Sequence, residues 1–384
     1  MKAVHGFSES KYTPTLGQPS AEEPISEIVA DSPDTTSIKH TLQPLTRGPL
    51  SVALGEALSF NDVSSRSPTT PGFFNIRRGH LAAKCHARES LVNTSISARN
   101  LVFPDKYGLT VLKLSRGNDE GASLAETSTH VLIEKKIKHY GCNVRVPQYY
   151  GIVGREDYKS WIPESITSTE DMLSLPSGGN CMERIPPLSD HARDLLVERF
   201  CPRQFRQAAR EDPVNEQCLA RIYLGSQNRT AHERTTTKEV RAFTLHNFIL
   251  HYSDMVELGM DMQGLARNMG TALAVMHWGA LTDARGVEFV LGSTADRENP
   301  LWLLDFDRVR PITKDMAGVS KAYEAYESIA RYFPRADTGD YQSNLTFCAF
   351  GNGYMDMSRV ILDKEPYYVQ ILPERFMELL IRGS

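Results

Sequence analysis

The stretch Met276–Arg310 decides the fold. It reads MHWGALTDARGVEFVLG, followed by a polar break and then LWLLDFDRVR. Two short apolar runs, Val287–Leu291 and Leu301–Asp305, predict two strands. Acidic residues stand at the ends of these strands: Asp283, Glu288 and Asp305. Three carboxylates brought together would repel one another, and they would also suit a hard divalent cation that binds oxygen.

The strongest helical pattern of the chain, Met255–Trp278, leads into this stretch. Its apolar residues recur at steps of four, four and three residues, which is the spacing of one helix face: Leu265, Met269, Leu273 and Met276. Further helices are predicted near 124–140, 191–201, 320–332 and 359–380. Tyr140 is followed by Gly141, a common helix terminator.

Short strand patterns dominate the earlier part of the chain. FFNIRRGHLAAKC, LVFPDKYG and LTVLKLSR read as strands with a turn at Pro104–Gly108, and VRVPQYYGIVG reads as one further strand. A short apolar joint at 181–186 separates this part from the helix-rich remainder. The sequence therefore predicts an α+β protein in two parts.

Composition limits the classes of function. The chain has 384 residues, 41% of them hydrophobic and 23% charged, and a net charge of −4. These values are typical of a globular protein and give no basic surface for nucleic acid. No apolar run reaches the roughly 20 residues that cross a bilayer, and the start lacks a secretory apolar segment. We therefore expect an intracellular protein, cytoplasmic or alternatively nuclear, without nucleic-acid or membrane partners.

The cysteines do not predict a zinc site. Six cysteines are scattered singly, without a C-x-x-C pair or a matching pair of histidines. Cys85 and His86, with His80 nearby, form the nearest approach to a cluster. Residues 1–70 are rich in Ser, Thr and Pro and are predicted to be a largely disordered tail, with a short amphipathic segment near Leu50–Phe60 that docks on the body.

Several segments resemble a known family. CMERIPPL, VERFCP, CLARIYLG, AVMHWGALTDARGVEFVLG and LWLLDFDRVRPI are similar to the motif series of the fungal DUF3669 family, whose members often carry the label "zinc finger protein". The order of elements resembles protein-kinase-like folds, especially aminoglycoside and choline kinases. The resemblance implies a two-lobed protein-kinase-like fold, with a strand-rich N-lobe at 71–185 and a helical C-lobe at 186–384.

The resemblance also implies cofactor-binding roles in the N-lobe. Lys113 in TVLKLSR stands where such proteins hold nucleotide phosphates, and its helix partner is either Glu126 or Glu134, with Glu126 preferred. Gly79 is the single glycine where kinases have a glycine-rich loop. Glu183 lies in a segment, Met182–Ile185, that resembles the hinge whose backbone binds adenine.

In the C-lobe, the three acids of the opening stretch acquire implied roles. Asp283 takes the position of the catalytic base, and Asp305 that of a metal-binding aspartate. Glu288 stands where kinases have asparagine. It is either a ligand for Mg²⁺ or Mn²⁺, or a structural acid that pairs with an arginine such as Arg285, Arg308 or Arg310. For Asp305 the alternative is a capping residue at a strand end.

Three functional hypotheses follow. The first is a phosphotransferase that uses ATP and Mg²⁺ or Mn²⁺ to phosphorylate a small-molecule hydroxyl. The second is a pseudokinase that binds a nucleotide or a protein partner without catalysis, motivated by the lone Gly79 and by Glu288. The third, a DNA-binding regulator, depends only on the family's label.

Overall fold

The computed structural model describes residues 48–59, 95–96, 100–105, 108–115, 120–158, 161–162, 178–227, 243–294, 299–336 and 339–383. Gly79, the cluster around Cys85 and most of the predicted tail lie outside these residues. Within the described residues the chain is a mixed α+β protein with two sheets.

The first sheet contains five antiparallel strands in the order β1-β2-β3-β6-β5. They are β1 Ser95–Ile96, β2 Asn100–Pro104, β3 Thr110–Ser115, β5 Tyr149–Gly154 and β6 Gly178–Glu183. Alternation on β2 and β3 places Leu101, Phe103, Leu112 and Leu114 in a small core. The predicted turn joins these two strands, because Asp105 accepts hydrogen bonds from the N–H groups of Leu109 and Thr110.

The second sheet contains five strands in the order β4-β10-β9-β7-β8. They are β4 Val144–Arg145, β7 Ala220–Tyr223, β8 Ile249–His251, β9 Glu288–Leu291 and β10 Leu301–Leu304. The two strands predicted in the opening stretch are thus confirmed as the antiparallel pair β9 and β10.

The single strand predicted for VRVPQYYGIVG is wrong. Val144–Arg145 pairs with β10 in the second sheet, whereas Tyr149–Gly154 pairs with β6 in the first. Pro147 lies between them and has no N–H to donate to a ladder. This segment therefore connects the two sheets.

Eleven α-helices are found among the described residues, together with two short 3₁₀ turns at Arg203–Phe205 and Pro213–Gln217. The α-helices are α1 Pro49–Ala57, α2 Glu120–His139, α3 Arg155–Tyr158, α4 Asp190–Phe200, α5 Arg206–Glu211, α6 Tyr252–Leu258, α7 Met262–Ala274, α8 Met316–Ser328, α9 Tyr341–Leu362, α10 Tyr367–Gln370 and α11 Leu372–Arg382. None of the described helices is both long and apolar enough to cross a membrane.

The continuous helix predicted for Met255–Trp278 is interrupted. Gly259 adopts a left-handed conformation (φ +69°) that ends α6, and the Asp261 side chain caps the start of α7. The last turn, Val275–Gly279, widens into a π-helical turn. Apolar periodicity cannot detect such a break, because the buried residues keep helical spacing across it: Met255, Leu258, Leu265 and Met269.

Helices α7 and α9 pack backbone against backbone. A Cβ atom on Gly270 would lie 2.1 Å from the backbone oxygen of Phe350, and one on Gly353 would lie 2.2 Å from that of Arg267. Glycine is therefore required at both positions. Next to Gly353 on α9, Tyr354 accepts a hydrogen bond from Trp278 Nε1 (2.9 Å) and bonds His277 Nδ1 (3.0 Å).

The segment predicted to dock near Leu50–Phe60 forms α1. Leu54 and Leu58 are fully buried, and the helix packs on α4 and α6. A Cβ atom on Gly55 would meet the backbone oxygen of Leu258 at 2.0 Å. The Asn299 side chain donates to the Ala57 carbonyl at 2.9 Å. The body of the protein thus includes residues well before position 71.

Candidate functional site

A cleft of about 250 Å³ is bordered by both sheets and by α2. Strands β2, β3 and β6 contribute one side, the polypeptide after β6 forms the back, and β7, β9 and β10 contribute the other side. Its apolar surface is formed by Val102, Val111, Met182, Ile185, Leu219, Leu304 and Phe306. Of the residues predicted to form a site, Lys113, Glu126, Glu183, Glu288 and Asp305 line this cleft.

Lys113 lies at the centre of the polar part. Its Nζ atom is 2.6 Å from Glu126 Oε1 and 2.9 Å from Asp305 Oδ1. Burial alone would lower the pKa of Lys113, but the carboxylates of Asp305 and Glu126 outweigh burial and raise it above its ordinary value. Two consecutive elements, β3 and α2, and the distant end of β10 therefore converge on one ammonium group.

The choice between Glu126 and Glu134 is decided by geometry. Glu126 is buried and contacts Lys113, whereas Glu134 accepts a hydrogen bond from the backbone N–H of Tyr149 at 3.0 Å and pairs with Lys138. The two glutamates of α2 therefore have different partners: Glu126 binds Lys113, and Glu134 holds the start of β5.

Asp305 adopts an unusual backbone conformation. Its φ angle is +68°, in the left-handed region that non-glycine residues rarely occupy, and such strain is concentrated at functional sites. The following Phe306 is buried, and its ring meets His130 edge-on at 5.0 Å. The Asp305 side chain is 32% exposed and points to Lys113.

Glu288 forms an ion pair with an arginine, as one of the two alternatives had it, but the partner is Arg221 and none of the three arginines given as examples. Arg221 Nη1 contacts Glu288 Oε1, and Nη2 donates to Asn247 Oδ1 at 3.1 Å. Arg221 lies on β7, where it pairs with Val290 of β9, so Glu288 is its diagonal neighbour on the same face. Sequence distance hid this pair, because β7 precedes β9 by more than sixty residues.

Asp283 lies outside the lining of the cleft and is only 3% exposed. Its Oδ1 atom accepts hydrogen bonds from the N–H groups of Arg285 (3.0 Å) and Arg310 (2.9 Å). Its own N–H donates to the Arg310 carbonyl at 2.9 Å. Leu281 and Ala284, on either side, have positive φ angles of 54° and 58°. Asp283 therefore braces a loop with strained backbone, and its Oδ2 atom lies 3.6 Å from Arg285 Nε.

The three acids do not fit a divalent metal as they are arranged. Glu288 is neutralised by Arg221, Asp305 by Lys113, and Asp283 is used by backbone amides. In the described ranges, no group of three His, Cys, Asp or Glu side chains is placed to hold a metal ion.

The predicted hinge is only partly available to a ligand. The N–H of Glu183 donates to the Gln148 carbonyl at 2.7 Å, and its carboxylate accepts from the Gln148 N–H at 3.0 Å. The N–H of Arg184 donates to the Leu109 carbonyl at 3.0 Å. These two amides are therefore used within the protein, which weighs against the predicted role of Glu183, although Ile185 lines the cleft.

Several cleft residues had no prediction. His130 bonds the Pro147 carbonyl at 2.7 Å, and burial lowers the pKa of its ring. Burial, assisted by the charge of Arg221, also lowers the pKa of His246. Arg221 is the one basic residue within the apolar run ARIYLG, and that position could have marked it as a residue with a buried partner. His130 is separated from Glu126 by one helical turn, which places both on one face of α2.

Comparisons with known proteins agree with part of this picture. A family model described as "DUF3669: Zinc finger protein" matches residues 301–366, from β10 into the turn after α9. The match supports that family. No curated protein matches the chain.

Proposed function

We propose that this chain is a kinase-like protein whose cleft binds a purine nucleoside or nucleotide, and that it works as a binding module rather than as a phosphotransferase. The observation that carries this proposal is the contact of Lys113 with Glu126 and Asp305 inside a cleft. A strand lysine, a helix glutamate and a strand-end aspartate converge in kinase-like nucleotide sites.

The architecture supports a kinase-like, two-lobed arrangement. One antiparallel sheet with the long helix α2 supplies Lys113 and Glu126, and the part with the second sheet and most helices supplies Asp305. The segment Glu183–Pro187 connects them beside the cleft. We therefore retain residues 71–185 and 186–384 as proposed lobes, with α1 added to the larger one.

The absence of catalysis in this proposal rests on two contacts. Asp283 bonds two backbone amides, and Glu288 bonds Arg221, so both carboxylates already have partners within the protein. A protein that binds a nucleoside or nucleotide without catalysis needs only the cleft. A partner protein would then distinguish the ligand-bound form from the ligand-free form.

Phosphotransfer to a small-molecule hydroxyl is the second candidate. The partly exposed Asp305 carboxylate favours it, since a modest movement of that side chain would free it from Lys113. Under this alternative ATP and Mg²⁺ or Mn²⁺ are the cofactors, and Asp283 must turn toward the cleft.

Ligand binding is the first test. We expect purine nucleosides or nucleotides to raise the melting temperature of the full chain, because a ligand at 100 times its Kd stabilises a protein by about 2.7 kcal/mol. Lys113→Met should abolish the effect. Lys138→Met, which changes an exposed lysine, is the control. If no purine compound binds, the proposal is wrong.

Turnover separates the two candidates. The full chain is incubated with ATP and Mg²⁺ or Mn²⁺, and release of ADP is measured against an Asp283→Ala variant. We expect equal background rates for both proteins. Turnover that disappears in the Asp283→Ala variant would establish the phosphotransferase instead.

A further inference from the structure

We infer that the ligand of this cleft carries little charge, in the manner of a purine nucleoside, and that it binds without a divalent cation because Arg221 takes the cation's place. This inference rests on the proposed function and narrows its ligand class. It also makes Arg221 a specificity-determining residue.

Every basic side chain that lines the cleft already has partners within the protein. Lys113 contacts two carboxylates, and Arg221 contacts Glu288 and Asn247. Arg184 Nη1 donates to the Gly108 carbonyl at 2.9 Å, and Nη2 donates to the Gln217 side chain. A phosphate group would have to compete with these partners, and breaking a partly buried pair leaves an uncompensated charge.

The charge of the cleft opposes a polyphosphate. Four acids face three bases along its lining, so one acid is in excess: Glu126, Glu183, Glu288 and Asp305 against Lys113, Arg184 and Arg221. His130 and His246 add no positive charge near pH 7, because burial lowers the pKa of both rings. A triphosphate would therefore enter a site that is already slightly negative, where Coulomb repulsion is strengthened by low dielectric.

Size and surface agree with a small planar ligand. The cleft of about 250 Å³ lies just below the range of roughly 300–1,000 Å³ that is common for ligand pockets. Its walls carry Val102, Val111, Met182 and Leu219 on both sides of the space that a ring would fill. Apolar walls with a few polar groups suit a heterocyclic base.

The positive charge of Arg221 explains why the cleft would need no metal ion. Glu288 lies opposite Leu304 in the β9–β10 pairing, so Asp305 is the next residue along and the two acids are near neighbours. Two such carboxylates would attract a cation. The guanidinium of Arg221 supplies that charge permanently, since arginine does not lose its proton in proteins.

The decisive experiment compares ligands on the unaltered full chain. Calorimetry is carried out with adenosine, guanosine, ATP and GTP, each with Mg²⁺, with Mn²⁺ and with EDTA. We expect a nucleoside to bind equally in all three buffers and at least ten times more tightly than its triphosphate. A metal triphosphate that binds more tightly than the nucleoside would overturn this inference and leave the proposed function intact. Binding of none of the four would overturn both.

A variant tests the role of Arg221. Arg221→Gln frees Glu288, and Mn²⁺ alone should then raise the melting temperature of the variant, with no effect on the natural protein. Arg382→Gln, at an exposed position near the end of α11, is the matched control. If Mn²⁺ acts equally on all three proteins, Arg221 does not replace a metal. If the variant fails to fold, the ligand comparison above decides the matter.

Discussion

Lys113 illustrates how a single buried charge depends on several elements. Its ammonium group is almost completely buried, and its two carboxylate partners come from α2 and from the end of β10. Removing the lysine leaves both acids without compensation in a poorly solvated place. The cost of such removal is therefore greater than the value of the pair itself.

We expect Lys113→Met to lower the free energy of unfolding by about 3–5 kcal/mol. The double variant Lys113→Met, Glu126→Gln should lose less than the sum of its single variants, because the unpaired acid has been removed. Urea denaturation measures both quantities. Lys138→Met, in an exposed pair with Glu134, should change stability by about 0–1 kcal/mol. Strict additivity would contradict the pairing.

His277 gives the protein a defined pH dependence. Burial lowers the pKa of His277 from 6.5 to about 3, so the folded protein keeps this ring neutral where the unfolded chain protonates it. The contribution of His277 to the free energy of unfolding therefore keeps its full value above pH 6.5 and decreases as the pH falls from 6.5 toward 3. The buried His130 ring, whose pKa is also lowered, adds to the loss.

His277→Gln should therefore flatten the dependence of unfolding free energy on pH between about 6.5 and 4, by up to about 1.4 kcal/mol per pH unit. Its stability at pH 7 should fall as well, because the bond to Tyr354 is altered. His191→Gln, at an exposed site on α4, should keep the natural slope. An unchanged slope in His277→Gln would show that this ring is protonated in the folded protein.

At the scale of elements, the contact between α7 and α9 depends on glycine. Gly270 and Gly353 place one backbone directly against the other, and no larger residue fits between them. Gly351 lies on the same helix as Gly353 but faces only the tip of Met377, at 3.1 Å from a Cβ atom built there. Two glycines of one helix thus have different physical reasons to be present.

This difference predicts effects of opposite sign. Gly270→Ala should destabilise the protein by about 1–3 kcal/mol or more, since the two backbones must separate. Gly351→Ala should be neutral or stabilise by up to about 1 kcal/mol, because alanine is the better helix former and the methionine tip can move. Equal losses in both variants, measured by denaturant unfolding, would show that the helix spacing does not depend on Gly270.

At the scale of the whole molecule, the family label raises the question of zinc. The described part of the chain offers no cluster of zinc-type ligands. Three of its thiols are poor ligands as they stand, because partial or full burial raises the pKa of Cys142 and Cys218 to about 12 and that of Cys181 to about 11. A thiolate is the form that binds a metal.

We therefore expect prolonged treatment of the full chain with a chelator to leave its melting temperature unchanged. Elemental analysis should find less than one zinc per ten chains. A structural zinc would instead make the protein unfold in the chelator, since metal-binding energy is folding energy in such domains. That outcome would revive the DNA-binding hypothesis and direct attention to Cys85, His86 and His80, outside the described residues.

The sequence by itself determined the local elements and the inventory of charged groups. Short apolar patterns identified β2, β3, β9 and β10, and the pattern before Gly141 identified α2, because these signals depend only on neighbouring residues. The resemblance to a known family, rather than any local pattern, implied the set of a strand lysine, a helix acid and an acid after β10, with Glu126 preferred over Glu134.

Only the tertiary structure decided which of these groups meet. The pairing of Arg221 with Glu288, the use of Asp283 by backbone amides and the division of 144–154 between two sheets all depend on contacts between distant segments. Neighbouring residues do not show the order of strands in a sheet or the direction of a loop carboxylate. A charged side chain pairs with whichever opposite charge the packing brings near. For that reason the three acids that the sequence suggested as a metal site have separate partners in the fold: Glu288 pairs with Arg221, Asp305 with Lys113, and Asp283 with backbone amides.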